Sequence, residues 1–106
     1  MRKGDIVLVP FPFTDLTGSK HRPAVVLVAN EKDVTLAFLT SQVKWKEVHD
    51  LELIPNDTNK LKTTSLIRIS KLATLDKLLV EGKLGTLTTK EVQSLNEGLI
   101  SLFKLA

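Results

Sequence analysis

Short runs of apolar, largely β-branched residues, separated by turn-forming residues, make up the first two thirds of the chain. Their length and composition predict five strands: Ile6–Phe11, Pro23–Ala29, Val34–Leu39, Leu51–Ile54 and Thr64–Ile69. The first two runs are almost continuously apolar, which is typical of strands buried on both faces. Because short turns connect the first three runs, we expect them to form an antiparallel meander.

Prolines and polar residues mark the predicted ends of these strands. Pro10 and Pro12 lack the N–H group that a sheet ladder uses, so the first strand is expected to end there. A loop is predicted over Phe13–His21, because turn-forming residues lie at its centre. Further turns are predicted at Asn30–Asp33 and at Pro55–Asp57, the second of which ends the fourth strand.

The last third of the chain contains one clear helix. Thr88 and Glu91 form the T-x-x-E pattern of a capping box, which predicts a helix start. Gly98 is expected to permit close packing of this helix. The preceding stretch, Leu72–Leu87, is ambiguous by periodicity, and one or two strands with a turn are favoured. The helix is expected to cover one side of the sheet with a single apolar stripe, formed by Val92, Leu95, Leu99, Leu102 and Phe103.

These elements predict a mainly β fold of the α+β type, in which five to seven short antiparallel strands form a small, curled barrel with a packed C-terminal helix. The length of 106 residues is that of one domain, residues 1–106.

The chain is 42% hydrophobic and 25% charged, which argues against disorder. It has no cysteine, so a disulfide framework and a thiolate metal site are excluded. With no signal-peptide pattern and no apolar run of bilayer length, a cytoplasmic location is predicted.

The charge pattern leans towards an anionic partner. The formal net charge is +3 and the isoelectric point is about 9.3. Positive residues are concentrated at Lys60, Lys62, Arg68 and Lys71, and no acidic residue lies between positions 58 and 75. Two interpretations stay open, a solvated face and a footprint for a phosphate backbone.

Metal and acyl-transfer chemistry fit the sequence poorly. The two histidines, His21 and His49, lack the spacing of metal ligands and a carboxylate cluster around them, so no metal and no cofactor are predicted. Ser19, His21 and Asp15 could be combined into a triad, but the context of an oxyanion hole is missing. We therefore disfavour an acyl-transfer enzyme.

A set of cationic and hydroxyl side chains remains. Arg22 opens the second strand beside Ser19 and His21, and Thr40 follows the third strand. Because the turn at Asn30–Asp33 pairs these strands and lies at a similar distance from each, Arg22 and Thr40 are expected to be neighbours. A guanidinium fork with hydroxyl donors suits a phosphate oxygen. These residues predict an anion-binding site.

Each of these residues also has a structural interpretation. An arginine such as Arg22 at the start of a strand can form a surface ion pair, and Thr40 and Ser41 can serve as turn formers. The only tryptophan, Trp45, is expected in the core or in an interface, with base stacking as the alternative.

Two linked motifs carry a resemblance to a known family. G-D-I-V begins at Gly4, and G-S-K-H-R-P-A-V-V-L begins at Gly18. At this spacing the pair resembles the opening of the MazF/PemK family, ribonuclease toxins of bacterial toxin–antitoxin modules. The resemblance continues through Thr40-Ser41, the L-I-R-I-S-K-L-A-T-L-D run at Leu66–Asp76 and the C-terminal helix, so it covers nearly the whole chain.

The resemblance implies an SH3-like barrel and a homodimer whose RNA groove crosses the interface. It also implies metal-independent cleavage of single-stranded RNA at short sequence motifs, in which the ribose 2′-OH attacks its own phosphate and leaves a cyclic phosphate and a 5′-OH. A cognate antitoxin protein is the implied partner, and no cofactor is implied. Two other functions stay open: a non-catalytic SH3-like module that binds nucleic acid or protein, and a gyrase-directed toxin on the same fold.

The same resemblance assigns roles to individual residues. Arg22 matches the family's catalytic arginine, Thr40 its catalytic hydroxyl residue, and Ser19 the loop residue beside them. Apart from the resemblance, the imidazole of His21 is the nearby candidate for proton transfer. Ser70 stands where some members carry an acidic residue, so a general base of those relatives is replaced here. The residues expected to contact RNA are Lys20, His21, Ser41, Gln42, Lys62, Arg68 and Lys71.

Overall fold

The apolar runs of the sequence form the strands of one antiparallel sheet in a computed structural model, which describes residues 1–11 and 20–106. Its strands are β1 (Asp5–Phe11), β2 (Lys20–Ala29), β3 (Asp33–Thr40), β4 (Leu51–Leu53), β5 (Ser65–Asp76) and β6 (Gly82–Thr86). Short 3-10 turns lie at Val43–Trp45 and Lys77–Leu79, and α1 spans Thr89–Phe103. All five predicted strands are confirmed, and most of the predicted loop, residues 13–19, lies outside the described residues.

The strand order is β4-β5-β3-β2-β1-β6, and every neighbouring pair is antiparallel. The predicted meander of the first three strands is therefore confirmed. Register shifts in the β1–β6, β2–β3 and β3–β5 pairs bend the sheet, because each inserts residues on one strand only. The predicted fold class, a curled, mainly β structure with a packed C-terminal helix, is confirmed.

The start of β2 differs from the prediction. β1 passes through Pro10 and ends at Phe11, as predicted, but β2 already begins at Lys20, inside the predicted loop. β6 pairs with β1 only as far as Leu8, so beyond Leu8 one edge of β1 has no strand beside it among the described residues. A proline on such an edge removes no ladder hydrogen bond.

β5 is longer than predicted and contains an irregularity. Arg68 lies opposite Phe38, whereas Leu72 lies opposite the preceding residue of β3, Ala37. The three intervening residues, 69–71, have no partner in this register and form a bulge. The strand then continues to Asp76, and β6 follows after a 3-10 turn, so the favoured interpretation of the ambiguous stretch is confirmed.

Apolar side chains fill both faces of the sheet. One buried cluster lies between the sheet and α1 and includes Ile6, Ile67 and Leu95, and the other includes Val9 and Val26. The predicted capping box at the start of α1 is present. A Cβ at Gly98 would lie 2.7 Å from Ile69 Cδ1, so the expected close packing of the helix is confirmed.

The structure corrects the placement of two apolar residues. The prediction for Phe103 is wrong, since this residue is 53% exposed at the last turn of α1 and does not complete the buried stripe. Of the positions predicted for Trp45, the core is excluded, since the residue is 64% exposed on the 3-10 turn after β3, and an interface stays a prediction. In the part of the chain that the structure covers, no helix has the length and apolar character needed to cross a bilayer.

The buried carboxylate of Asp5 connects the start of β1 to β6 through contacts with Lys83 and Thr86. Burial by itself would raise the pKa of the Asp5 carboxyl, but the hydrogen bond from the Arg2 backbone N–H, the nearby Lys83 ammonium and the Thr86 hydroxyl together lower it below its ordinary value. Asp5 therefore stays ionised in the fold and stabilises it above the ordinary carboxyl range, an effect lost as the pH falls through the lowered pKa.

Candidate functional site

Arg22 and Thr40 lie side by side at one end of the β2–β3 pair. Ala24 pairs with Phe38, and continuing this register by two residues brings Arg22 opposite Thr40. Because side chains alternate along a strand, Arg22 leaves β2 on the same face as the buried Ala24. Arg22 and Thr40 are therefore neighbours, as the hairpin geometry predicts.

Two adjoining clefts open on this face, and Arg22 and Thr40 line both of them. The first cleft has a volume of about 530 Å³ and also contains Arg68, Ser70 and Lys71. Its remaining lining is apolar and consists of Phe38, Leu39, Leu72 and Ala73. Arg22 and Thr40 thus stand at the boundary between this cleft and the next.

The second cleft, of about 260 Å³, is lined by the polar residues that follow β3. Ser41, Gln42 and Lys62 all contribute to its walls. The Gln42 backbone N–H donates to Thr40 Oγ1 over 3.2 Å, so the Thr40 hydroxyl proton remains for another acceptor. Five of the seven predicted RNA-contacting residues therefore line a cleft together with Arg22: Ser41, Gln42 and Lys62 in the second cleft, and Arg68 and Lys71 in the first.

The other predicted site residues are placed differently. His21 and Arg22 leave β2 on opposite faces, and His21 Nε2 lies 2.8 Å from Glu81 Oε2. His21 lines neither cleft, which separates it from the position that a proton-transfer group beside Arg22 would need. Lys20 is exposed and shares the face of Arg22 by alternation, and Ser19 lies outside the described residues.

Arg68 is held by two acidic residues, and we call this group the Arg68 cluster (Glu47, Asp50 and Arg68). The Arg68 guanidinium pairs with Glu47 Oε1, and its Nε lies 3.7 Å from Asp50 Oδ2. The Asp50 side chain is fully buried and its Oδ2 accepts the Glu47 backbone N–H over 2.9 Å. Arg68 Nε and Asp50 Oδ1 are buried without a hydrogen-bond partner in the described part of the chain.

Sequence reasoning did not find Glu47 and Asp50. They lie about twenty residues before Arg68, in a stretch that has no regular period. The available signal was Arg68 itself, since a cation inside an otherwise apolar strand requires a carboxylate partner unless it is fully solvated. Arg68 was predicted as a cation for RNA, whereas the structure gives it partners within the protein.

The two clefts present groups that can bind an anion. Arg22, Lys62 and Lys71 supply positive charge along the two clefts, and Thr40 and Ser41 supply hydroxyl donors at their boundary. Among residues 1–11 and 20–106, no group of three or more His, Asp or Glu side chains could hold a metal ion. Guanidinium and hydroxyl groups placed in this way can hold a phosphate diester and stabilise added charge on it.

Fold and site together define a small, mainly β protein with cationic, hydroxyl-lined clefts at one end of a curled sheet. A sequence model of the family described as "PemK-like, MazF-like toxin of type II toxin-antitoxin system" matches residues 2–103. The chain therefore belongs to this family.

Solved structures share the fold at low sequence identity. A Mycobacterium tuberculosis toxin, MazF-mt6, is 18% identical with a TM-score of 0.76, and the match covers 97% of each chain. An endoribonuclease in complex with its cognate antitoxin from a mycobacterial species is 15% identical with a TM-score of 0.74, covering 98% of this chain and 93% of that one. No protein in the comparison with curated sequences matches this chain.

Proposed function

We propose that this chain is the toxin of a toxin–antitoxin module and acts as a metal-independent, sequence-selective endoribonuclease on single-stranded RNA in the cytoplasm. The observation that carries the proposal is the position of Arg22 beside Thr40 at the boundary of two cationic clefts. Membership of the MazF/PemK toxin family supports it. So does the description of fold relatives as endoribonucleases, one of them bound to its antitoxin.

The proposed reaction is an internal transesterification. The ribose 2′-oxygen forms a bond to the adjacent phosphorus and loses its proton, while the bond from phosphorus to the 5′-oxygen breaks and that oxygen gains a proton. The products are a 2′,3′-cyclic phosphate and a 5′-OH end. Negative charge on the non-bridging oxygens rises in the transition state, so donors aimed at those oxygens accelerate the reaction.

Arg22 and Thr40 fit this requirement. An arginine side chain stays protonated in proteins, so Arg22 acts by stabilising charge and not by removing a proton. Thr40 already accepts the Gln42 N–H, so its own hydroxyl proton can be donated to a phosphate oxygen. Because His21 faces away from this pair, we do not assign proton transfer to it.

The remaining cations form a track for the flanking phosphates. Lys71 lines the first cleft and Lys62 the second, so the two lie on either side of the Arg22–Thr40 boundary. Each phosphate that they neutralise would add to the salt dependence of binding without reading the sequence. We further propose that the active form is a homodimer, and that a cognate antitoxin blocks the clefts with an acidic or apolar segment.

The decisive experiment incubates the protein with a long single-stranded RNA in excess EDTA. Discrete fragments with 5′-OH and cyclic phosphate ends are expected. Arg22→Ala is expected to reduce the cleavage rate by at least about 100-fold, the effect of removing one donor to a developing oxyanion. Arg2→Ala is the matched control, since Arg2 is exposed and lines neither cleft.

Other outcomes would identify other functions. RNA that stays intact but is retarded on a gel would indicate a binding module without catalysis. Untouched RNA together with trapped DNA breaks in the presence of gyrase would indicate a gyrase-directed toxin. Full activity in a folded Arg22→Ala protein would contradict the assignment of Arg22.

A further inference from the structure

The segment between β3 and β4, residues 41–50, carries the only tryptophan of the chain in an exposed position. Trp45 ends the 3-10 turn Val43–Trp45 and is 64% exposed. The Lys44 ammonium lies 5.5 Å from the centre of its ring, within the range of a cation–π contact. An indole that contributes little to the core and has a cation beside it requires another explanation than packing.

Residues on both sides of Trp45 lie at the proposed RNA site. Gln42 lines the second cleft, and the carboxylate of Glu47 holds Arg68, which lines the first cleft. Trp45 is three residues from Gln42 and two from Glu47, so its Cα lies within about 11 Å and 8 Å of theirs. The indole can therefore reach a nucleotide next to a phosphate bound at the cleft boundary.

The second half of the 41–50 segment is held in place by hydrogen bonds and ion pairs. Asp50 N–H donates to the Glu47 carbonyl over 3.1 Å, and Asp50 Oδ2 accepts the Glu47 N–H over 2.9 Å. Both carboxylates face Arg68, which is itself anchored in β5. A side chain presented on such a support loses less entropy on binding than one on a loose loop.

The charge around Trp45 favours a polyanion as its partner. Lys44 and Lys46 flank the indole in sequence, and the two acidic residues of the segment are directed at Arg68. The clefts at the base of the segment add further cations. Aromatic side chains surrounded by cations are the usual elements that hold unstacked bases of single-stranded RNA.

We propose that Trp45 stacks on a base adjacent to the scissile phosphate and is a main contributor to RNA affinity. The proposal rests on the proposed function, since it takes the Arg22–Thr40 boundary as the phosphate site. Trp45 touches no reacting atom in this arrangement, so its effect falls on binding and on the choice of cleavage site.

Fluorescence gives a direct test, because the chain has one tryptophan and no tyrosine. The probe is a mixed-sequence single-stranded RNA whose 2′-oxygens are methylated, which prevents the attack on phosphorus. An abasic oligomer with the same number of phosphates is the control. Bound RNA is expected to quench Trp45 emission strongly, and the bound abasic oligomer is expected to quench it little. Equal quenching by both, or none with RNA bound, would overturn the proposal.

Variants separate stacking from other roles. Trp45→Ala is expected to weaken binding roughly 5- to 100-fold with an unchanged salt slope, because a stacking contact and no phosphate contact is lost. Trp45→Phe should retain most of the affinity. Val48→Ala is the matched control, since Val48 is 91% exposed on the same segment.

The outcomes distinguish this proposal from the proposed function. Cleavage by the wild type together with unchanged binding by Trp45→Ala would overturn the stacking role and leave the ribonuclease standing. Base-dependent quenching without any cleavage would support stacking and contradict the proposed ribonuclease activity. A change of emission on dilution of the protein alone, with no response to RNA, would place Trp45 in an interface between copies and overturn the proposal.

Discussion

Two buried polar groups in this molecule differ in how completely their hydrogen bonds are made. The first, which we call the Asn59 cluster, joins Asn56, Asn59 and Glu91 beneath the start of α1. Asn59 is fully buried, its Oδ1 accepts the N–H groups of Asn56 and Leu61, and its Nδ2 donates to the Ile54 carbonyl and to Glu91 Oε2. Every polar atom of its side chain therefore has a partner.

The Arg68 cluster is equally polar but incomplete. Arg68 Nε and Asp50 Oδ1 are buried without a hydrogen-bond partner within the described residues, and Glu47 is about half exposed. A satisfied buried network specifies a structure, whereas unsatisfied groups beside a cleft are typical of sites that compromise stability for function. The comparison predicts that the Asn59 cluster serves folding and that the Arg68 cluster serves the proposed site.

The largest expected effect is the loss of stability in Asn59→Ala. The substitution removes four hydrogen bonds and leaves several partly buried groups without a partner, so the free energy of unfolding should fall by about 3 kcal/mol. Asn30→Ala is the matched control, because the exposed Asn30 Oδ1 accepts only two backbone N–H groups in a turn. Its expected cost is below about 1 kcal/mol. Urea unfolding measures both, and equal losses would contradict the comparison.

Asp50→Asn should separate stability from activity. The amide keeps the shape and the bond to the Glu47 N–H, and Arg68 keeps Glu47, so the free energy of unfolding should change by less than about 1 kcal/mol. Arg68 loses its buried charge partner, and the 41–50 segment loses one of its contacts with β5. Cleavage should therefore fall about 10-fold, because Arg68 and the segment are displaced from their positions beside the clefts. Asp57→Asn, on an exposed turn, should leave both quantities unchanged. A stability loss as large as that of Asn59→Ala would make the Arg68 cluster structural.

The smallest expected effect belongs to Glu47→Gln. An exposed ion pair contributes little, so the free energy of unfolding should change by less than about 0.5 kcal/mol. Arg68, freed from a competing carboxylate, becomes available to one more phosphate, and the salt slope of binding to single-stranded RNA should steepen by about 0.7. Filter binding at several salt concentrations measures the slope. Glu97→Gln, on the exposed face of α1, is the control, and a slope that stays the same in both would show that Arg68 contacts no phosphate.

Much of the fold could be predicted because its signals are local. The strands follow from short β-branched runs, and the start of α1 follows from a capping box only four residues long. The Arg22–Thr40 pair could be predicted because a short turn leaves one natural way to pair β2 with β3. The bulge of β5 could not, since only the register with the partner strand shows that residues 69–71 are unpaired.

The position of His21 shows how one boundary error affects a site. With the loop predicted through His21, its side chain had no assigned direction and could be placed beside Arg22. Because β2 begins at Lys20, strand alternation sends His21 to the other face, where it contacts Glu81. The alternation rule was sufficient to find this, once the start of the strand was known.

The sequence by itself determined the class of fold, the cap of α1, the family resemblance and the pairing of Arg22 with Thr40, because each depends on residues close together or on one short turn. Tertiary structure alone decided the acidic partners of Arg68, the exposure of Trp45 and the completeness of the Asn59 cluster. These depend on contacts between residues some twenty to thirty positions apart, and burial and hydrogen-bond satisfaction exist only once such segments have packed together.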